Sequence, residues 1–395
     1  MTPPGPDPAA LIAWILRHAT AEDDGGALLE GICRGLNDAG LPLWRMSLAT
    51  PTIDPNHRAV ATSWRRDVGM SVLATAHGAE AEAVFRRSPV GRLMDENRTA
   101  ARWNLEIGEG CDDLLLLGEL RAEGGTDYRL DLVGFSAGTA MLGAAISFAT
   151  DRPGGFTAPD MAVIDRLLPA LGLAAYRLNL SRTVRDVLGA YLGPMTAARV
   201  LAGEIRRGRG EVLSAAILLA DLRSFTSLTD HEDPVRVVGW LDDHLETLGA
   251  AVDRHGGEIL KFTGDGFIAV FPVGDQAAHP CPVCVRALAA AQGALTGNQG
   301  LNVRRRQAGE PELAVDLVLH FGDVVYGNVG TSHRLDFTTI GRAVNEASRI
   351  EALCDGLGRH LLLSDSFAGR CGRGFSDLGL FPLRGVGAPQ RVWTV

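Results

Sequence analysis

Lysine is nearly missing from this chain. Of 38 basic side chains, 37 are arginine and only Lys261 is lysine. A composition so tilted suggests a GC-rich genome that uses arginine wherever any positive charge will do. Lys261 is then either a place where a compact point donor is needed rather than a wide planar fork, or a chance survivor in a half-buried strand. Basic excess is also missing. The net charge of −9 excludes a general nucleic-acid binder, which would normally be basic. The short clusters Arg206-Arg207-Gly-Arg209 and Arg304-Arg305-Arg306 read as solvated charge. No long apolar run is present either. The longest weakly charged stretch, Leu132 to Ala149, holds Gly134 and Gly138 at a turn and reads as two buried strands, not a membrane span. Met1 is followed by Thr-Pro-Pro-Gly-Pro-Asp-Pro, with no apolar core, so no secretory signal and a cytoplasmic location are expected. The six cysteines are scattered, as in a reducing compartment. Cys281-Pro-Val-Cys284 has no second pair at zinc spacing and reads as packing at a helix start. There are no internal repeats.

What is present fits a globular chain of two domains. The length is 395 residues, with 46% hydrophobic and 22% charged residues. Leu28, Ile32 and Leu36 recur every four residues and predict one apolar helical face. Trp44–Ala49, Tyr128–Phe135 and Ala140–Ala149 read as strands. A polar turn from Thr150 to Asp160 leads into a helix to about Leu180, with Met161, Ile164, Leu168 and Leu171 inward. Thr157 and Asp160 are spaced to cap it, and Pro169 is placed to kink it. Residues 183–210 read as a connector, in which Val184, Val187, Leu188 and Tyr191 fall on one helical face.

From Glu211 the character changes. Val212–Leu222 is a continuous apolar strand ending in Asp221. A helix follows, with Val235, Val238, Leu241, Leu245, Leu248 and Val252 as its expected apolar stripe. Gly256-Gly257 then turns the chain into a hairpin whose tip is Gly264-Asp265-Gly266. Alternation would put Ile259, Lys261 and Thr263 on one face and bring Asp265 beside Asp221. Two such carboxylates are the oxygen ligands expected of a divalent-cation site. Taken singly, Asp265 is also an ordinary turn residue and Asp221 an ordinary helix cap. A third strand is expected at Leu313–Phe321, and Asn345 and Arg349 then share one helical face at i, i+4.

Two resemblances organise these readings. Residues 1–182 are similar to a GAF-type sensory domain, a family with a cup-shaped ligand pocket, although no residue here names a ligand. The segments Ala220-Asp221-Leu-Arg-Ser-Phe225-Thr226, Leu260-Lys261-Phe-Thr-Gly-Asp265-Gly-Phe and Phe337-Thr338-Thr-Ile-Gly-Arg-Ala-Val-Asn345-Glu-Ala-Ser-Arg349 closely resemble class III nucleotide cyclases over residues 211–395. That resemblance implies an α+β chain: a ferredoxin-like catalytic domain with a mixed sheet, preceded by the GAF-like α/β domain. It implies Asp221 and Asp265 as ligands for two Mg2+ or Mn2+ ions, with Phe225 and Thr226 beside the nucleotide phosphates. It implies Lys261 and Thr338 as readers of adenine, Asn345 on the ribose, Arg349 at the α-phosphate, and Arg334 and Arg384 near the terminal phosphates. Thr338 stands where many adenylate cyclases carry Asp, Ser224 where Gly is usual, and Arg342 where relatives are often acidic. The implied reaction is ATP to 3′,5′-cyclic AMP and pyrophosphate, in a head-to-tail homodimer whose sites are shared between chains. The N-terminal domain would take a small-molecule or protein signal. A guanylate or mixed-specificity cyclase and a catalytically silent module are the alternatives. A diguanylate cyclase would carry Gly-Gly-Asp/Glu-Glu-Phe at the hairpin, where this chain has Thr-Gly-Asp-Gly-Phe.

Overall fold

The computed structural model describes residues 7–22, 24–135, 141–223, 225, 228, 232–273, 281–372 and 374–395. The chain divides into two compact units, Met1–Ala190 and Tyr191–Val395. No helix among the described residues is long and apolar enough to cross a membrane.

The first unit comprises α1 (Pro8–Ala21), α2 (Gly25–Asp38), β1 (Arg45–Pro51), β2 (His57–Arg65), β3 (Gly69–Ala76), α3 (Ala79–Arg86), α4 (Pro89–Asp95), β4 (Ala100–Asn104), α5 (Leu115–Ala122), β5 (Asp127–Gly134) and β6 (Gly143–Thr150), followed by α6 (Ala158–Leu192). Its strands form one antiparallel sheet in the order β3-β2-β1-β6-β5-β4. The four-residue repeat in α2 does turn inward, since Leu28, Ile32 and Leu36 are all buried. They pack with Met46, Ile146 and Phe148 of the sheet and with Ile164 and Leu171 of α6. The Asp160 carboxylate accepts from the Thr157 backbone N–H and hydroxyl, which fixes the start of α6. This helix does not stop near Leu180. It continues to Leu192 with Pro169 inside it, so the residues read as the beginning of a connector complete a 35-residue helix. The apolar cavity lined by Leu28, Ile32, Met46, Leu171 and Leu178 measures about 20 Å³. That is room for about one water molecule and nothing larger. Gly138 and Ala140, at the expected turn between β5 and β6, lie outside the described residues.

The second unit contains α7 (Pro194–Leu201), β7 (Gly210–Leu222), α8 (Pro234–Arg254), β8 (Glu258–Phe262), β9 (Phe267–Pro272), α9 (Pro282–Gln307), β10 (Val315–Gly330), β11 (Leu335–Ile340), α10 (Arg342–Glu351), α11 (Cys354–Leu357), β12 (Leu361–Ser364), α12 (Asp365–Cys371), β13 (Ser376–Phe381) and β14 (Gln390–Thr394). The sheet is mixed, in the order β13-β14-β12-β10-β7-β9-β8, with β11 paired to β10. β10 runs parallel to β12 and antiparallel to β7. Both faces of β7 are buried from Ala215 to Ala220, which explains the unbroken apolar sequence there. Ala216, Leu218 and Ala220 face α8 and α9, whereas Ala215, Ile217 and Leu219 face α10 and α11.

Three expectations need correction here. The apolar stripe of α8 is displaced: Val235 and Val238 are exposed, and Val237, Trp240, His244 and Leu248 turn inward. His244 scores as polar in any hydropathy pattern, so the true stripe is masked at its centre. Arg305 is not solvated charge. It is 2% exposed, its Nε donates to the Pro311 carbonyl, and its guanidinium lies 4.8 Å from the Trp240 ring. Finally, β8 carries a register shift between Ile259 and Lys261 against β9, so alternation does not run unbroken through Ile259, Lys261 and Thr263.

Candidate active site

β7 ends in Asp221, which stands opposite Asp316 in the ladder with β10, so both project to the face covered by α10 and α11. Asp316 is buried and already engaged. It accepts from His360 Nδ1 at 2.8 Å and lies 3.5 Å from Arg223 Nε. Arg223 also pairs with Asp355. Among the described residues, Asp221 makes no ion pair with a basic side chain. Instead a second acid is brought to it by close backbone packing.

The tip joining β8 to β9 is tight. Gly264 adopts φ +80°, which favours glycine, and Thr263 N–H donates to the Gly266 carbonyl. Gly266 is packed so closely on the end of β7 that a Cβ there would fall 2.1 Å from the Ala220 carbonyl oxygen and 3.0 Å from Asp221 Cα. This contact sets Asp265 beside Asp221.

The electrostatics follow. Burial raises the Asp221 carboxyl above its ordinary range, and the charges of Asp265 and Asp316 raise it further. Glu351, at the end of α10, is pushed up to about 7 by burial and then by Asp221, Asp316 and Asp265. Asp221, Asp265 and Glu351 converge beside Asp316, whose own charge Arg223 partly offsets. Among the described residues no three His, Cys, Asp or Glu side chains form a ready-made metal cage. Two carboxylates in a repulsive pocket would suit a divalent cation, whose charge would offset theirs.

A pH prediction follows. A carboxyl raised in the folded state gives stability that is full below its unfolded value, near 4.5, and lost as pH rises through about 7. Thermal unfolding of the metal-free protein at pH 5, 6, 7 and 8 should therefore show Glu351→Gln gaining on wild type as pH rises. Equal slopes for the two proteins would remove Glu351 from the cluster.

Lys261 lies four positions before Asp265 on the same hairpin but points elsewhere. Its Nζ donates to Asp336 Oδ2 of β11 at 2.6 Å. Leu260 and Phe337 share one buried cluster, which holds β11 against β8. Thr338 is half-buried on β11, Asn345 is exposed on α10, and Arg349 is half-buried one turn later. The Arg349 guanidinium lies beside Gly385, in the turn closed by Val386 N–H on the Leu383 carbonyl; Arg384, in that turn, is exposed. Arg334 is exposed at the β10–β11 turn, where its backbone N–H donates to the Thr331 hydroxyl. Phe225 packs against the cluster of Leu222, Val237, Trp240 and Leu313, and Thr226 and Ser224 lie outside the described residues. Three groups thus form, the acid pair, the Lys261–β11 contact and the Arg349 turn, and Phe225, in its separate cluster, belongs to none of them.

Residues 210–369 match the family model of the adenylate and guanylate cyclase catalytic domain. The matched residues lie within the second unit, Tyr191–Val395. An adenylate cyclase of Anabaena cylindrica is 35% identical over 164 residues, covering 41% of this chain and 32% of that protein. Adenylate cyclase 1 of Rhizobium meliloti is 31% identical over 158 residues, covering 39% of this chain and 23% of that protein. The chain therefore spans a third or less of the length of these curated relatives. The crystal structure of the guanylyl cyclase Cya2 is 26% identical, with a TM-score of 0.41, over 47% of this chain and 92% of that one.

Four residues around this candidate site were not anticipated from the sequence: Asp316, Asp336, Glu351 and His360. Asp316 left a signal, a lone acid inside the apolar run of β10. A cavity of about 530 Å³ lined by Arg199, Arg206, Arg209, Tyr326 and Asn328 lies elsewhere, at the opposite end of β7 from Asp221. That is roughly 35 Å along the strand at about 3.3 Å per residue.

Proposed function

We propose that the protein is an adenylate cyclase converting ATP to 3′,5′-cyclic AMP and pyrophosphate. The observation that carries this reading is the acid pair Asp221 and Asp265, forced together by the Gly266 contact, on the hairpin that also bears Lys261. Bound Mg2+ or Mn2+, two per site, would acidify the ribose 3′-hydroxyl and neutralise triphosphate charge. Asp221 and Asp265 would hold those ions. Lys261 donates to the purine edge, with Thr338 beside it. Asn345 orients the ribose and Arg349 offsets the charge that develops at the α-phosphate. Arg334 and Arg384 are exposed cations placed to meet the terminal phosphates, and Phe225 and Thr226 contribute through backbone N–H groups. Catalysis is then mostly positioning and charge stabilisation, with in-line attack of the 3′-oxygen on the α-phosphorus and loss of pyrophosphate.

In the further part of this reading, two chains assemble head to tail. One gives the acid pair, and its partner gives Lys261, Thr338, Asn345 and Arg349. The first unit acts as a GAF-like receiver of a small-molecule or protein signal, in the cytoplasm.

Purified full-length protein with Mn2+ is expected to form cyclic AMP from ATP and to use GTP at least about tenfold less well, the discrimination of one base-reading contact. Preferential cyclic GMP would make it a guanylate cyclase. No cyclic nucleotide from either substrate would overturn the enzymatic reading.

A further inference from the structure

We propose that the cavity between α10 and the start of α12 binds a small organic cation, whose ammonium donates to His320 and Glu346 together. The inference goes beyond the cyclase reading and does not depend on it.

The cavity measures about 310 Å³. That is the lower end of the range found for small-molecule sites. Its floor is the stretch His320–Asp323 of β10, and its walls come from α10 and from Ser364 to Ser366. Gly322 leaves room beside the histidine ring. A Cβ there would fall 2.8 Å from the Ala343 Cβ and 3.2 Å from His320 Nε2.

His320 is the observation that points to a ligand. Its side chain is 7% exposed, yet neither ring nitrogen makes a hydrogen bond among the described residues. A buried polar ring without a partner is uncommon. Nδ1 is buried and unpaired, and Nε2 lies 3.6 Å from Glu346 Oε2. That spacing is too long for a hydrogen bond between the two. A third group could donate to both atoms at about 2.9 Å from each. Burial lowers the His320 pKa, which outweighs the opposite pull of Glu346. The ring is therefore neutral near pH 7 and can offer Nε2 as an acceptor.

The rest of the wall sets the charge of the occupant. Asp323, Glu346 and Asp365 line the cavity against one guanidinium, that of Arg342. Arg342 Nε donates to Glu346 Oε1 from the rim, where its side chain is 78% exposed. Other donors in the wall are engaged: the Ser366 hydroxyl on the Phe321 carbonyl, and the Gln390 amide on the Ala388 carbonyl. Acceptors are thus in excess. A carboxylate only accepts and an ammonium only donates. An anion would meet like charge. A metal ion is the poorer cation, because no three His, Cys, Asp or Glu side chains among the described residues are set to hold one. A primary ammonium on a short aliphatic stem meets the acceptors with its head and the buried Ala343, Ile350 and Leu383 with its tail. Asn345 and Arg349 stand on the same helix, so this site adjoins the proposed nucleotide site without sharing those residues.

The test titrates n-butylammonium into full-length protein by calorimetry, in an amine-free buffer without nucleotide or divalent metal. Saturable binding at one site per chain is expected. Tetramethylammonium has the same charge but no N–H, and should bind at least about tenfold more weakly, the loss of one charge-assisted hydrogen bond. Glu346→Gln should weaken n-butylammonium by about 10- to 100-fold for the same reason. Arg342→Ala, at the exposed rim, should melt as wild type does and bind about two- to fivefold more tightly, since it frees Glu346 from an ion pair. If Glu346→Gln does not fold, Arg342→Ala decides alone. Equal binding of tetramethylammonium would mean charge screening and would overturn the proposal. So would tighter binding of butyrate, no binding at all, or an affinity that neither substitution moves. None of these measurements involves turnover. Failure here leaves the cyclase reading untouched, and a failed cyclase assay leaves this site untouched.

Discussion

Asp265→Asn should lower cyclic nucleotide formation by about a thousandfold or more while leaving the thermal midpoint close to wild type. Charge stabilisation by a held cation is worth several kcal/mol, and about 1.4 kcal/mol is tenfold in rate. The substitution keeps the shape of the tip and removes one acid of the pair, so it relieves repulsion at Asp221 rather than adding strain. A complementation experiment extends the result. Asp265→Asn and Arg349→Ala chains, each inactive alone, are mixed in equal amounts and allowed to exchange. Activity should return to about a quarter of wild type, because half of random dimers are mixed and each holds one intact site of two. Full activity in Asp265→Asn, or no recovery in mixtures shown to contain mixed dimers, would count against shared sites built on this acid.

Gly266→Ala is the second large effect, and it reaches the same acid through the backbone. The added Cβ would lie 2.1 Å from the Ala220 carbonyl oxygen, a main-chain atom in the buried centre of the sheet. Neither side can yield as a flexible side chain would. The hairpin tip must lift away from β7, at a cost of about 1 to 3 kcal/mol for overpacking. Asp265 would move with it, and a small displacement of a catalytic group is costly, on the order of a hundredfold for about 1 Å. The expected outcome is a loss of activity larger than the loss of stability would produce, measured at a temperature where the variant is fully folded. Gly264→Ala makes a useful contrast: it meets nothing within 4 Å and suffers only the positive φ. If Gly266→Ala kept wild-type activity, the contact that assembles the acid pair would be unimportant.

Much of this geometry was legible in the sequence, because it depends on local pattern. The unbroken apolar run before Asp221 could only be a strand buried on both faces, and Gly-Asp-Gly could only be a tight tip. What stayed hidden depends on register or on context. Asp316 and Glu351 join the acids through strand pairing and helix packing from far along the chain, and no spacing rule reports that. Asp336 stood in plain view two positions before Thr338, but its meeting with Lys261 needs β11 to lie against β8. The stripe of α8 was misplaced because a buried histidine was counted as polar, and Arg305 because three adjacent arginines look alike in sequence.

The scarcity of lysine has a practical corollary. The chain carries one ε-amine, and it is about half open to solvent. Acylating or aldehyde reagents therefore have two amines to attack, the chain terminus and Lys261. A single mass increment on the tryptic peptide containing it would report how well a nucleotide shields that position, with no mutation and no engineered tag.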